Sequence, residues 1–177
     1  RMKFFKKASE TEKLVKSLKD NNNIYLVPAF TGLGAPHWDA NARGVLTGIT
    51  RDTSPKEIVR ATIEAVAYQT YDLFEAMKHD GLRPKIVKVD GGMVMNNWFS
   101  QFLSDIVNVK VLRPRVQETT AVGAAFMAGL QIGVYKSLKD ISQIWHLDRK
   151  FSPGMSSKSR NQLLKGWSAA IKKTLTN

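Results

Sequence analysis

Apolar residues along the chain follow two different periods, and the switches between them mark the elements. Residues 8–20, ASETEKLVKSLKD, put Leu14, Val15 and Leu18 on one side and predict a short amphipathic helix. The asparagines at 21–23 end it, because Asn accepts the left-handed backbone of a helix exit. Ile24–Val27 is a short apolar strand stopped by Pro28. Residues 29–44, rich in Gly, Pro and Asn, predict a long loop, of the kind that is functional or wraps a neighbour. Gly44–Thr50 reads as a second strand or a turn. A helix start follows, with Ser54 as N-cap, Pro55 at the first helical position and Glu57 closing a capping box. That helix should run to Met77 or Lys78. Val59, Ile63, Val66, Thr70, Leu73 and Met77 form its expected inward stripe, widened by Ile58, Ala61, Ala65 and Tyr68.

The stretch Lys85–Val107 has a different character. A strand, Ile86–Val89, runs into Asp90, Gly91 and Gly92, and a helix begins at Asn96 or Asn97 with Phe99, Phe102, Leu103 and Ile106 on one face. Strand, glycine turn and helix together form a seat for a nucleotide or another ligand. Glycine has no Cβ to hold a ligand off the backbone. The helix start offers unpaired N–H groups and a partial positive charge. Ligands of open α/β sheets lie at the carboxyl ends of strands, where Gly91 and Gly92 fall. The ordinary alternatives are a plain turn at the glycines and a plain N-cap at Asn96.

Beyond it, Lys110–Leu112 predicts a strand ended by Arg113-Pro114. Residues 118–132 predict a helix crowded with Ala121, Gly123, Ala124, Ala125, Ala128 and Gly129. Its small side chains predict close approach to a sheet or partner helix, since interior Gly costs ~1 kcal/mol against Ala. Gly133 can terminate it. Residues 136–154 read as an irregular crossing of the surface, and Arg160–Leu175 as a last amphipathic helix with Leu163, Leu164, Trp167, Ala170 and Ile171 inward. The order of elements argues an α/β fold.

Composition narrows the function. A chain of 177 residues, 43% hydrophobic, fits one domain over residues 1–177 with a real core. The absence of cysteine excludes disulfides, thiolate metal sites and a cysteine nucleophile, and fits a cytoplasmic protein. No apolar run approaches the ~20 residues of a membrane span, and the lysine-rich start lacks the apolar core of a signal peptide. The net charge of +12 is concentrated at the ends. Residues 1–20 hold seven basic and three acidic side chains, residues 149–177 seven basic and none acidic, and the middle is nearly balanced. That distribution describes a solvated basic surface, not the aromatic-interleaved stripe of a nucleic-acid binder.

Catalytic motifs are scarce. His37, His79 and His146 have no metal-ligand spacing. There is no G-x-S-x-G elbow, and Gly32-Leu33-Gly34-Ala35-Pro36 lacks the Lys-Ser/Thr pair of a phosphate loop.

Several ordered motifs nevertheless carry a family resemblance. Phe30-Thr31-Gly32-Leu33-Gly34-Ala35-Pro36-His37-Trp38-Asp39 resembles a loop of glycerol kinases. Gly44–Ile49, followed by Glu57–Glu64, is similar to the second signature of the FGGY carbohydrate kinases. Val89-Asp90-Gly91-Gly92 with Asn96-Asn97 resembles that family's adenosine-binding turn, and Arg113-Pro114 with Glu118–Ala125 continues the match. The resemblance implies an RNase H-like fold of the actin/hexokinase ATPase type, incomplete here because its first β-hairpin strands are not in the sequence. It implies ATP/ADP with Mg2+ as cofactor and glycerol as acceptor in the complete enzyme. Gly92 and Asn96 match adenosine-contacting positions, with Gly91 beside them. The family's catalytic aspartate lies upstream of the matched stretch, so the resemblance implies no catalytic residue and no metal ligand in this chain, and an inactive chain on its own. Asp39, Asp52 and Asp90 do not match the base motif. Expected partners are an adenine nucleotide and the N-terminal part of the same protein, with a homo-oligomer left open. The competing readings are a pentulose kinase of the same family and an inactive remnant serving as an interaction module. Trp38 and Trp98 read as packing residues. The Thr31–Asp39 loop is expected either to line the active cleft or to brace the sheet.

Overall fold

The computed structural model describes residues 4–176. Its elements are α1 (Glu10–Lys16), β1 (Tyr25–Val27), β2 (Val45–Thr47), α2 (Pro55–His79), β3 (Ile86–Lys88), α3 (Asn97–Val107), β4 (Lys110–Pro114), α4 (Thr119–Gln131), α5 (Leu138–Gln143), β5 (Leu147–Phe151) and α6 (Ser157–Thr174). The class is mixed α/β, as the sequence predicts. Gly44–Thr50 resolves as a strand, since β2 pairs antiparallel with β1 and sets Leu46 opposite Leu26. β3 and β4 are parallel, with Val87 opposite Val111.

The segment 136–154 departs from expectation. It is not an irregular crossing, because it holds α5 and β5, and β5 pairs antiparallel with β4 to form the edge of the second sheet. Its sequence, LDRKF, buries only Phe151, so it lacks the alternation that reveals a strand. Charged side chains on an edge strand discourage pairing with other chains.

α2 and α3 form the core with β1 and α6. Ser54 caps α2 as predicted: its N–H donates to Glu57 Oε2 (3.0 Å) and its Oγ accepts from the Lys56 N–H (3.3 Å). The inward face of α2 is not the expected stripe throughout. Val59 and Ile63 are buried, but farther along Phe74 is inward and Leu73 is 39% exposed. A buried line also runs through Arg60, Glu64, Ala67 and Phe74, beside the expected Ala61, Ala65 and Tyr68. Two charged residues on that line disguise it as a polar face.

The Tyr68 ring joins four elements. It stacks on Trp167 of α6 (centroids 5.2 Å apart), meets the edge of Phe102 of α3 (5.6 Å) and tilts against Tyr25 of β1 (5.8 Å). α6 comes close enough that a Cβ at Gly166 would collide with the Tyr25 phenol. Beneath this cluster Glu64 is fully buried. Its carboxylate accepts from Arg60 Nε (2.7 Å), Tyr68 Oη (2.9 Å) and Asn21 Nδ2 (3.2 Å). Arg60 also donates to the Leu18 carbonyl (2.9 Å) and lies over the Trp98 ring (5.1 Å). Burial pushes the Glu64 carboxyl above its ordinary value, opposed by Arg60. Burial and the Glu64 charge push the Tyr68 phenol up as well.

α4 is the other departure. The sequence predicts close approach to a sheet or helix, yet Ala121, Ala124, Ala125 and Ala128 are exposed and Gly129 alone is buried. Among the described residues no strand or other helix packs extensively on it. Gly129 is covered by Tyr135, which folds back from the turn after the helix and meets the edge of Phe126 at 5.5 Å.

The Glu64 cluster generates a stability prediction. Arg60→Met leaves the carboxylate buried without its cation, so unfolding free energy should fall by about 3–5 kcal/mol at pH 7. Burial raises the Glu64 pKa, so folding disfavours its charged form relative to the unfolded chain, and removing Arg60 adds to that. The loss should therefore shrink as pH falls toward ~4.5 and grow as pH rises. Urea denaturation followed by tryptophan fluorescence at several pH values checks both the size and the sign.

Candidate functional site

The turn between β3 and α3 brings the three sequence-predicted residues into one short segment. It leaves the sheet with the Val89 N–H donating to the Leu112 carbonyl (3.0 Å), and the Gly91 N–H donates to the Gln117 carbonyl (3.1 Å). Gly91 has φ 84° and ψ 175°, a conformation closed to side chains other than hydrogen. Gly92 opens a single 3-10 turn, Gly92–Met95, and Asn96 then caps α3 with its Oδ1 accepting the Phe99 N–H (3.0 Å). The helix thus begins at Asn97, and the capping role of Asn96 is real.

The two glycines have different reasons to be glycine. Gly91 is required by its positive φ. Gly92 has ordinary φ, and a Cβ there would meet nothing within 4 Å. Gly166, by contrast, is required by the Tyr25 ring packed on it. Neither conformation nor packing within the described residues calls for glycine at position 92.

Four elements hold the turn in place. From α1, Thr11 Oγ1 accepts from Asn96 Nδ2 (3.4 Å) and Glu12 Oε2 accepts the Asn97 N–H (3.1 Å). Burial lifts the Glu12 carboxyl, but hydrogen bonds from Lys16 and Asn97 outweigh it, and the net shift is downward. From α3, Ser100 Oγ donates to the Val94 carbonyl (3.0 Å). From β4, the buried Arg113 donates through Nη1 to the same carbonyl (2.7 Å) and grips Asp148 of β5 through Nε and Nη2 (both 2.7 Å). Arg149 of β5 reaches Asn97 Oδ1 (3.1 Å). Sequence reasoning took Arg113-Pro114 only as the end of a strand and a family match, and Asp148 and Arg149 as part of an irregular segment. Three consecutive charged residues, Asp148, Arg149 and Lys150, offer no alternation that would have signalled the strand.

The loop over Thr31–Asp39 lies elsewhere. Leu33 and Asp39 exchange backbone hydrogen bonds (2.7 and 3.0 Å), closing it on itself. His37 Nε2 pairs with Asp72 Oδ2 (3.1 Å), which also accepts from Trp167 Nε1 (2.8 Å). Asp39 accepts the Asn41 and Ala42 N–H groups and the N–H and hydroxyl of Thr176. The Thr176 N–H, chief among these, holds its carboxyl below the ordinary value. Asp72 lies twelve residues, roughly 18 Å, along α2 from Arg60, which faces Trp98 just after the turn. The loop therefore braces α2, α6 and the C-terminal residues at the far end of α2. Trp38 does not pack as expected: it is 78% exposed with φ 51°. Trp98 does pack, stacking on Phe102 at 4.9 Å. Asp39 is committed to Thr176, while Asp52 and Asp90 are exposed. Among the described residues no three His, Asp or Glu groups cluster as a metal site, and no helix is long and apolar enough to cross a membrane.

Comparison with known proteins bears on the family and the fold. Residues 4–132 match the model of the FGGY family of carbohydrate kinases, C-terminal domain. Glycerol kinase 1 of Pseudomonas aeruginosa is 53% identical over 172 residues, covering 97% of this chain and 35% of its own. A glycerol kinase of Clostridium botulinum is 49% identical over 175 residues, covering 98% and 35%. The chain thus spans about a third of the length of the curated relatives it matches. Among solved structures, Plasmodium falciparum glycerol kinase with ADP superposes with a TM-score of 0.86 at 33% identity, over 99% of this chain and 35% of that one. A xylulose kinase from Lactobacillus acidophilus shares the fold at TM-score 0.77 and 24% identity, over 98% and 36%. On the family match, the chain belongs to the FGGY family of carbohydrate kinases, its residues 4–132 matching that family's C-terminal domain.

Proposed function

We propose that this chain is the C-terminal, nucleotide-binding part of an ATP-dependent glycerol kinase, acting on glycerol and ATP to give glycerol 3-phosphate and ADP. It supplies the adenosine side of the cleft through Gly91, Gly92 and Asn96. The observation that carries the reading is Gly92, a glycine that the fold itself does not need. An open backbone at the end of a strand is what a flat purine requires for close approach. Asn96 spends its oxygen on the helix cap, and its amide, held by Thr11 across a long 3.4 Å contact, is the donor left to face a base. Identities near 50% to glycerol kinases favour glycerol over a pentulose as acceptor, since the xylulose kinase match at 24% identity speaks only to fold.

In this reading residues 1–177 form one domain, the RNase H-like, actin-type half of the enzyme without its first β-hairpin strands. β3 has a free edge with Ile86 52% exposed, and among the described residues no strand or other helix packs extensively on α4, which suits a unit completed by the remaining chain. The catalytic aspartate and the Mg2+ ligands fall to that remaining chain. Phosphoryl transfer rests on positioning by both sides of the cleft together with metal and base. The complete protein is cytoplasmic, and whether it forms a homo-oligomer is a separate question.

Two measurements test the proposal. The full-length protein should release ADP in a glycerol-dependent manner, and the 177-residue chain alone should not. Release driven by xylulose instead would move the assignment to a pentulose kinase, and no release at all would favour an inactive remnant. Gly92→Val in the full-length protein should raise the nucleotide KM by about tenfold or more with its melting temperature little changed. Unaltered nucleotide affinity in the folded variant would sink the assignment of this turn.

A further inference from the structure

The turn that carries Gly92 is held by more than its own hydrogen bonds, such as the Asn96 N–H to the Met93 carbonyl (3.1 Å). Its central carbonyl, Val94, accepts from Ser100 of α3 and from Arg113 of β4 (3.0 and 2.7 Å), and the same Arg113 nitrogen reaches toward the Met95 carbonyl at 3.5 Å. The other edge of the guanidinium grips one oxygen of Asp148 through two nitrogens, each at 2.7 Å. Arg113 is buried, whereas the Asp148 side chain is 40% exposed on the edge strand. The ring of Phe151 flanks both Arg113 (5.6 Å) and Arg149 (5.3 Å), and Arg149 reaches on to Asn97. β5 is therefore a strap: it presents one anion that orients a buried cation and one cation that holds the residue next to Asn96.

We propose that Arg113 and Asp148 are positioning residues for the nucleotide, setting the height and tilt of the Gly91–Asn96 turn through the Val94 and Met95 carbonyls. This rests on the reading of that turn as the adenosine seat. A guanidinium can bind a carboxylate along one edge and a carbonyl along the other because its donors lie in one rigid plane. A lysine ammonium cannot reproduce both bonds at once. Without the Asp148 charge, the Arg113 side chain loses the anchor that points Nη1 at Val94. The turn then samples positions in which the Gly92 backbone no longer meets the purine face, and small displacements of a binding group weaken binding without altering the reacting groups.

The test uses the full-length protein with Asp148→Asn, Arg113→Lys and Gly92→Val side by side. ADP affinity is measured by isothermal titration, and KM for ATP, KM for glycerol and kcat by steady-state kinetics. Asp148→Asn and Arg113→Lys should each weaken ADP binding and raise the ATP KM by about five- to tenfold, with glycerol KM and kcat at saturating ATP within about twofold of the parent. If both variants keep parental nucleotide affinity while Gly92→Val loses it, the strap is idle and the turn assignment stands. If Gly92→Val also keeps parental affinity, the turn assignment itself fails and the strap falls with it. A uniform fall in kcat and both affinities with a lowered melting temperature, or failure to fold, would make the pair structural support and overturn the proposal.

Discussion

A carboxylate sealed from water at the centre of the long helix imposes conditions on everything packed around it. Glu64 is fully buried, and its charge is tolerable only because a cation, a phenol and an amide converge on it from separate parts of the chain. Asn21 comes from the link before β1, Arg60 from one turn earlier in α2, and Tyr68 from one turn later. Each of these also does something else. Arg60 reaches the Leu18 carbonyl and the Trp98 ring, and Tyr68 carries the aromatic contacts to α3, α6 and β1. The polar network thus fixes the register of the apolar packing, which on its own would tolerate several nearby arrangements.

That register propagates to the candidate site. With Trp98 held between Arg60 and Phe102, the first turn of α3 is anchored, and the capping residue Asn96 is placed relative to α1. The turn then has fixed footings on both flanks: α1 through Thr11 and Glu12, and the β4–β5 pair through Arg113 and Arg149. Its outer surface carries Gly92, whose Cβ position is open, and the half-exposed Met93 and Met95. A backbone anchored on both flanks and open at Gly92 is preorganised for contact with something outside the chain.

Much of this was legible in the sequence where local chemistry decides it. Ser54-Pro55-Lys56-Glu57 forms the helix start that its side chains dictate, and Asn96 caps α3 because a short amide in that position satisfies an otherwise orphaned N–H. What escaped was decided at longer range. The buried line of α2 was hidden because Arg60 and Glu64 look like surface residues until Asn21 and Tyr68 arrive to satisfy them. β5 was hidden because an edge strand of charged residues shows no alternation, and its role depends on a partner thirty-five positions away, Arg113 to Asp148. Trp38, expected to pack rather than bind, is instead exposed and sits in a left-handed backbone conformation.

The small-residue helix α4 draws these strands together. Its composition asks for close packing, and among the described residues Tyr135 and Val134 supply it at Gly129. Gly123 has open space around it, like Gly92. The residue before α4's N-cap, Gln117, accepts the Gly91 N–H, so the helix and the glycine turn are joined at their ends. Gly92 with its open Cβ position and the exposed alanines of α4 thus lie on segments joined through the Gly91–Gln117 hydrogen bond. A sequence that retains glycine and alanine where leucine or lysine would cost the isolated fold nothing is shaped by contacts beyond it. The relatives, about three times as long as this chain, have the additional polypeptide to make them.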